Sequence, residues 1–148
     1  MAHYRASIDT QQSREELFAY LSDFSTTREW DPSVVEAQRL NSQAVGEGTE
    51  FRLVAVFLGR KNRLTYRMVE YDPPRAVTFI GENATVISRD RITFETTTDG
   101  TRVTYDADLA LKGPLRIADP LLGLAFNRVG DRALDGLRQT LALARPQP

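Results

Sequence analysis

The chain has 148 residues, 41% hydrophobic and 26% charged, which are proportions of an ordinary globular domain and not of a disordered segment or a coiled coil. Its 19 Lys and Arg nearly balance 20 Asp and Glu, and the formal net charge of -1 supplies no field for holding nucleic acid or an anionic membrane. With no Cys and a single His, disulfides, thiol nucleophiles, zinc-thiolate sites and multi-His metal sites within one chain are excluded.

Met1 to Arg5 lacks the basic segment and apolar run of a secretory signal, and no apolar stretch approaches the ~20 residues that cross a bilayer. A cytoplasmic location without stable membrane insertion is therefore expected. Tyr4-Arg5-Ala6-Ser7-Ile8-Asp9 alternates apolar and polar residues, as a strand does with one face buried. Ser13, three residues before Glu16, forms a capping box ahead of Leu17, Phe18 and Leu21, and predicts a short helix from Arg14 to Leu21. Ser13 is read as that cap and not as a nucleophile, because no Gly-x-Ser-x-Gly context surrounds it. A further turn or two of helix fits Thr26 to Asp31, with Pro32 directing the chain back into strand.

From Val34 to Leu111 turn chemistry recurs at Gly46-Glu47-Gly48, Gly59-Arg60-Lys61-Asn62, Asp72-Pro73-Pro74, Gly81-Glu82-Asn83 and Thr98-Asp99-Gly100. Six strands fit between these breaks, too closely spaced for crossover helices, so the sheet is predicted to be antiparallel. After Gly113-Pro114 the period changes to about 3.6. Leu115, Ala118, Leu122, Phe126, Val129, Ala133, Leu137, Thr140 and Ala144 fall on one stripe, with Arg128, Asp131, Asp135 and Arg138 opposite. This is a long amphipathic helix ending before Pro146, with a bend expected near Pro120. The fold class is thus α+β in one domain over residues 1–148, a curved seven-stranded antiparallel sheet around a long C-terminal helix.

The alternation along the strands gives the sheet one apolar face, carrying Phe51, Leu53, Tyr66, Phe79, Ile92, Phe94, Tyr105 and Leu109 among others. Charged residues such as Arg52, Arg67, Arg91, Arg102, Asp106 and Asp108 occupy the other face, which water covers. Seven strands at roughly 4.8 Å spacing span over ~30 Å, whereas one helix with its side chains is about 10–12 Å wide. The sheet must curl around the helix, and its interior either closes up on the aromatics or leaves a pocket.

The same period of two that turns Ile92 and Phe94 inward turns Ser88 and Asp90 inward. A carboxylate facing an apolar hollow needs a partner or a proton, and its raised pKa would suit a ligand anchor or proton donor. Two alternatives stand beside this: a bulge near Arg89 that reverses the face, or a wet mouth where Asp90 pairs with an Arg. Tyr66 and Tyr105 project toward the same space and place hydroxyls there or against protein. Trp30 fits a portal or a core anchor. His3 is read as a surface residue, and Arg60-Lys61-Asn62-Arg63 as a solvated hairpin tip.

The order strand, two short helices, six strands and long final helix resembles the helix-grip fold of the START and birch-pollen-allergen superfamily, in its polyketide cyclase/dehydrase-like branch. Supporting segments are Ser13 to Asp23, Trp30-Asp31-Pro32, Val69 to Pro74, Thr101 to Tyr105 and Leu111 to Leu115. The resemblance implies an internal cavity for a lipid, polyketide or aromatic molecule, no cofactor, and a monomer or weak dimer. Trp30, Phe51, Leu53, Tyr66, Phe79, Ser88, Asp90, Ile92, Phe94, Tyr105, Leu109, Leu122 and Phe126 are the candidate ligand-binding residues, and Asp90 is the one candidate catalytic group. Alternative functions are a cyclase or dehydratase using these polar groups, or a protein-interaction or toxin-like regulatory module.

Overall fold

The computed structural model describes residues 2–113 and 120–143. Strand β1 (Ala2–Thr10) leads into helix α1 (Arg14–Ser22), a 3-10 turn (Phe24–Thr26) and the short helix α2 (Thr27–Trp30). Six strands follow: β2 (Val34–Arg39), β3 (Glu50–Phe57), β4 (Arg60–Asp72), β5 (Ala76–Glu82), β6 (Val86–Thr96) and β7 (Thr101–Leu111). The helix α3 (Pro120–Leu143) comes last. Leu115, Ala118 and Ala144, expected on its apolar stripe, lie outside the described residues, and the bend expected near Pro120 falls at their boundary.

The sheet runs β1-β7-β6-β5-β4-β3-β2, with each described neighbour pair antiparallel. Sequential strands pair as hairpins, and β1 closes the order against β7, which is the helix-grip fold. Register shifts at Val34/Glu36 and Met68/Glu70 mark bulges, which bend a strand and increase its twist. Those bends help the long strand β4 follow the curve of the sheet.

Local chemistry accounts for the elements. The Ser13 hydroxyl accepts the Glu16 N–H at 3.2 Å and caps α1 as predicted. Asp23 then accepts the Ser25 N–H at 3.1 Å, ending α1 and starting the 3-10 turn. Leu17, Phe18, Leu21 and Phe24 are at most 4% exposed and pack against the sheet. On α3 the buried residues are Leu122, Ala133, Leu134, Leu137 and Leu141, so the apolar stripe is wider than its sequence spacing suggested. Asp131, on the exposed side, accepts a hydrogen bond from the Tyr4 hydroxyl at 2.9 Å and ties α3 to β1.

Two local expectations are corrected, and a third gains a partner. Gly81 lies within β5, not in a turn; opposite it stands Tyr66, whose ring would come within 2.5 Å of a Cβ at that position. Having no side chain is what lets that ring lie across the strand. The β3–β4 tip is Leu58-Gly59, both with positive φ (53° and 74°), a two-residue turn of the kind that matches strand twist. The basic run therefore sits in β4 and does not form the tip. His3, though exposed, has a partner that its neighbours in sequence could not reveal: its Nδ1 lies 2.6 Å from Asp108 Oδ1, across the β1–β7 register.

Candidate functional site

The gripped interior is filled in one half and hollow in the other. In the filled half, Phe24 from the 3-10 turn stacks on Phe79 at 4.1 Å between centroids and meets Phe51 edge-on at 6.3 Å. Phe18 of α1 packs edge-on against Phe94 at 5.4 Å. The short helices thus supply a plug as well as an end cap, and α3 has only the remaining half to cover.

That half holds a cavity of about 140 Å³, bounded by Leu53, Leu64, Ala107 and Leu109 of the sheet and by Phe126, Val129, Ala133 and Leu134 of α3. Half-buried Phe57, Asn62 and Val86 sit at the end of the wall, where the β3–β4 hairpin and the start of β6 approach Phe126. Gly130 also lines the hollow, and a Cβ there would come within 2.7 Å of the Tyr4 ring. Gly136 lets α3 approach still closer, since a Cβ there would lie 1.9 Å from the Trp30 carbonyl oxygen. Together these two glycines seat α3 near β1 and α2 and set the breadth of the hollow.

Of the residues singled out from sequence, Leu53, Tyr66, Ser88, Asp90, Tyr105, Leu109 and Phe126 line this cavity. Trp30, Phe51, Phe79, Ile92, Phe94 and Leu122 do not. Phe51, Phe79, Ile92 and Phe94 are buried on the filled side, where α1 and the 3-10 turn cover them. Trp30 is 3% exposed and meets Tyr105 edge-on at 6.1 Å, as a core anchor and not a portal. Leu122 closes one end in a small cluster with Ala2 and Leu109. Tyr4, Thr27, Asp31 and Ser33 line the hollow without having been singled out. Tyr4 was within reach of the sequence, because it shares the alternation of Ile8; Asp31 stood in the segment Trp30-Asp31-Pro32, and nothing there marked it as a wall residue.

The polar end of the cavity centres on Asp90. No bulge interrupts β6 there: Asp90 stands between Phe79 of β5 and Ala107 of β7, directed inward and 8% exposed. Among the described residues neither the reversed face nor an arginine partner is found. Instead the Ser88 hydroxyl donates to Asp90 Oδ1 at 2.8 Å and the Tyr105 hydroxyl donates to Oδ2. Burial pushes the Asp90 carboxyl up to about 6, the two hydroxyl donors oppose that rise, and the charges of Asp31 and Asp108 add to it. Burial and the neighbouring Asp90 charge push the Tyr105 and Tyr66 hydroxyls well above the usual phenol range. Asp31 accepts the Ser33 N–H at 2.9 Å and the Ser33 hydroxyl at 2.8 Å on the same oxygen, and burial raises its carboxyl as well.

An apolar hollow with an acidic, hydroxyl-bearing end can hold a small molecule by burial and orient it by hydrogen bonds. Its charged groups among the described residues are the carboxylates of Asp31 and Asp90. No described helix is long and apolar enough to cross a membrane.

These features define a START-like helix-grip protein. Residues 1–142 match the family described as polyketide cyclase/dehydrase and lipid transport, and the chain belongs to that family. The uncharacterized protein Rv1546 of Mycobacterium tuberculosis is 31% identical over 84 residues, covering 55% of this chain and 57% of that protein. The match thus spans little more than half the length of that curated relative. TTHA0849 of Thermus thermophilus shares the fold with a TM-score of 0.80 at 21% identity, over 97% of this chain and 99% of that one. A START superfamily protein of Mycobacterium smegmatis does so with a TM-score of 0.71 at 16% identity, over 94% and 93%.

Proposed function

We propose that this protein binds a small hydrophobic molecule in the cavity between the sheet and α3. The observation that carries the reading is the hollow itself, about 140 Å³ with mostly apolar walls and two acids, Asp31 and Asp90. An engineered apolar cavity of about 150 Å³ takes up benzene, whereas drug-sized ligands occupy about 300–1,000 Å³. The ligand is thus the size of one ring, or a larger lipid or polyketide that buries one end and leaves the rest at the Phe57–Val86 mouth. Apolar burial supplies affinity at roughly 25 cal/mol per Å², and Asp90 with its hydroxyl partners supplies orientation. The experiment is native mass spectrometry of gently purified protein, followed by NMR titration with single-ring compounds. Extra mass that dissociates, and shifts confined to Tyr66, Ser88, Asp90, Tyr105 and Phe126, are expected. Titration that moves none of these signals would remove the binding reading.

A second reading is an enzyme of the cyclase or dehydratase type, favoured by one observation. Asp90, with a carboxyl lifted to about 6 and held between two hydroxyls, is placed to exchange a proton with a bound ligand near neutral pH. Under this reading a bound β-keto compound changes covalently over time, and Asp90→Asn stops the change while leaving binding in place.

A further inference from the structure

The polar chemistry of the cavity narrows the ligand beyond its size. Among the described residues its walls carry two acids, Asp31 and Asp90, and no Lys, Arg or His. Ser88 and Tyr105 direct their protons to Asp90 and so turn lone pairs toward the hollow. Both Ser33 donors go to Asp31 Oδ1, and no hydrogen bond to Oδ2 is found among the described residues. The buried end is therefore dominated by acceptors, with the Tyr66 hydroxyl set beside Ser88.

We infer that the ligand meets Asp90 with a hydrogen-bond donor and carries no negative charge at that end: a hydroxyl or an amine on a ring-sized apolar body, and not a carboxylate, sulfate or phosphate. This rests on the binding reading proposed above and specifies its chemistry. A hydroxyl or ammonium group placed on Asp90 forms a charge-assisted bond, in a place where a headless ligand would leave the carboxylate further dehydrated. That difference is worth about tenfold in affinity or more. A ligand carboxylate some 5 Å from an ionised Asp90 meets like-charge repulsion of on the order of a hundredfold, with no cation among the described wall residues to offset it.

Four compounds on one ring test this with the full chain: toluene, benzyl alcohol, benzylamine and benzoate, titrated by NMR at pH 8, where Asp90 is ionised. Benzyl alcohol and benzylamine are expected to bind at least about tenfold more tightly than toluene, and benzoate more weakly than toluene. In Asp90→Asn, toluene should still bind, showing the hollow intact, while the benzylamine advantage disappears and benzoate approaches toluene. The wild type supplies an independent arm as the pH falls from 8 to 5. The titratable groups lining the cavity are Tyr4 of β1, Asp31, Tyr66 of β4, Asp90 of β6 and Tyr105 of β7, and α3 adds none. The tyrosines stay neutral throughout, so protonation of Asp90 should shrink the benzylamine preference. Benzoate binding as well as benzyl alcohol, or a rank order that survives both Asp90→Asn and low pH, overturns the inference while leaving the cavity reading standing. Failure of toluene together with the other three overturns the cavity reading and the inference with it.

Discussion

Replacing Asp90 by Asn should make this protein more stable, and by an amount that depends on pH in a defined way. Burial lifts the Asp90 carboxyl from the ordinary 3.8 to about 6. At about 1.4 kcal/mol per pH unit that displacement amounts to ~3 kcal/mol of folding free energy, absent when the group is protonated and opposing the fold when it is ionised. The sign follows from proton counts. Between about pH 4 and pH 6 the folded chain holds the Asp90 proton more tightly than the unfolded chain does, so wild-type stability falls as pH rises through that window. Asparagine keeps the shape and one acceptor but has no charge, so the variant lacks this dependence. Loss of the charge-assisted bonds from Ser88 and Tyr105 offsets part of the gain, leaving about 1–3 kcal/mol in favour of Asp90→Asn above pH 7. Urea unfolding of both proteins at intervals from pH 4 to pH 8 measures it. The difference should grow from near zero or slightly negative at pH 4 to a plateau above pH 7. A difference that is flat across the range would mean that folding leaves the Asp90 proton affinity unchanged, and one that moves toward the wild type as pH rises would mean that the fold stabilises the ionised carboxylate; either result removes the desolvated acid.

Ala133 lines the hollow at 7% exposure, and Ala133→Leu should fill part of it, raising stability by about 1–2 kcal/mol while weakening toluene binding at least tenfold in the NMR titration. Gly136→Ala should destabilise by about 1–3 kcal/mol in urea, despite the ~1 kcal/mol that alanine adds to a helix, because the new Cβ meets the Trp30 carbonyl oxygen at 1.9 Å. Leu58 is 66% exposed with φ 53°, so Leu58→Asn should raise the urea midpoint by about 0.5–1 kcal/mol equivalent, asparagine tolerating that backbone where leucine is strained. His3 is the single histidine, and its ring resonances should titrate with a midpoint above 6.5 because of the Asp108 hydrogen bond; Asp108→Asn should bring the midpoint down. The stabilising contribution of that pair is present below pH 6.5 and fades as pH rises through the folded-state midpoint.

Period-two alternation carried most of the fold. It sets which face of each strand is apolar, and the closely spaced turns leave hairpin pairing as the only economical topology, so the sheet and its inward residues were legible. It also located Ser88 and Asp90, because β6 has no bulge between them and Ile92. What it could not tell was how the interior is divided. Phe51, Phe79, Ile92 and Phe94 have the same inward phase as Leu53 and Tyr66, and only the path of the chain after Asp23 decides that Phe24 comes to rest on Phe79. Gly81 misled for a related reason: glycine beside Glu82 and Asn83 has the composition of a turn, and its real role is to make room for a ring on the neighbouring strand. Tyr105, the second partner of Asp90, and Asp108, the partner of His3, lie on β7, 15 and 105 residues away, and long-range register of that kind has no local signature.

The two costs at this site fall in the same place. A void of about 140 Å³ forgoes at most ~3 kcal/mol of packing, and the ionised Asp90 at its end opposes the fold by a similar amount. Against the roughly 5–15 kcal/mol that keeps a typical domain folded, the pair is large. Each could be relieved by one conservative replacement, Ala133→Leu for the void and Asp90→Asn for the charge, with no change to the sheet or to α3. Gly130 lines the hollow without any positive φ to require it, and its absent side chain makes room for the Tyr4 ring. A purely structural core gains nothing from a void and a buried acid converging on one spot, whereas a ligand that fills the void and donates to the acid offsets both penalties at once.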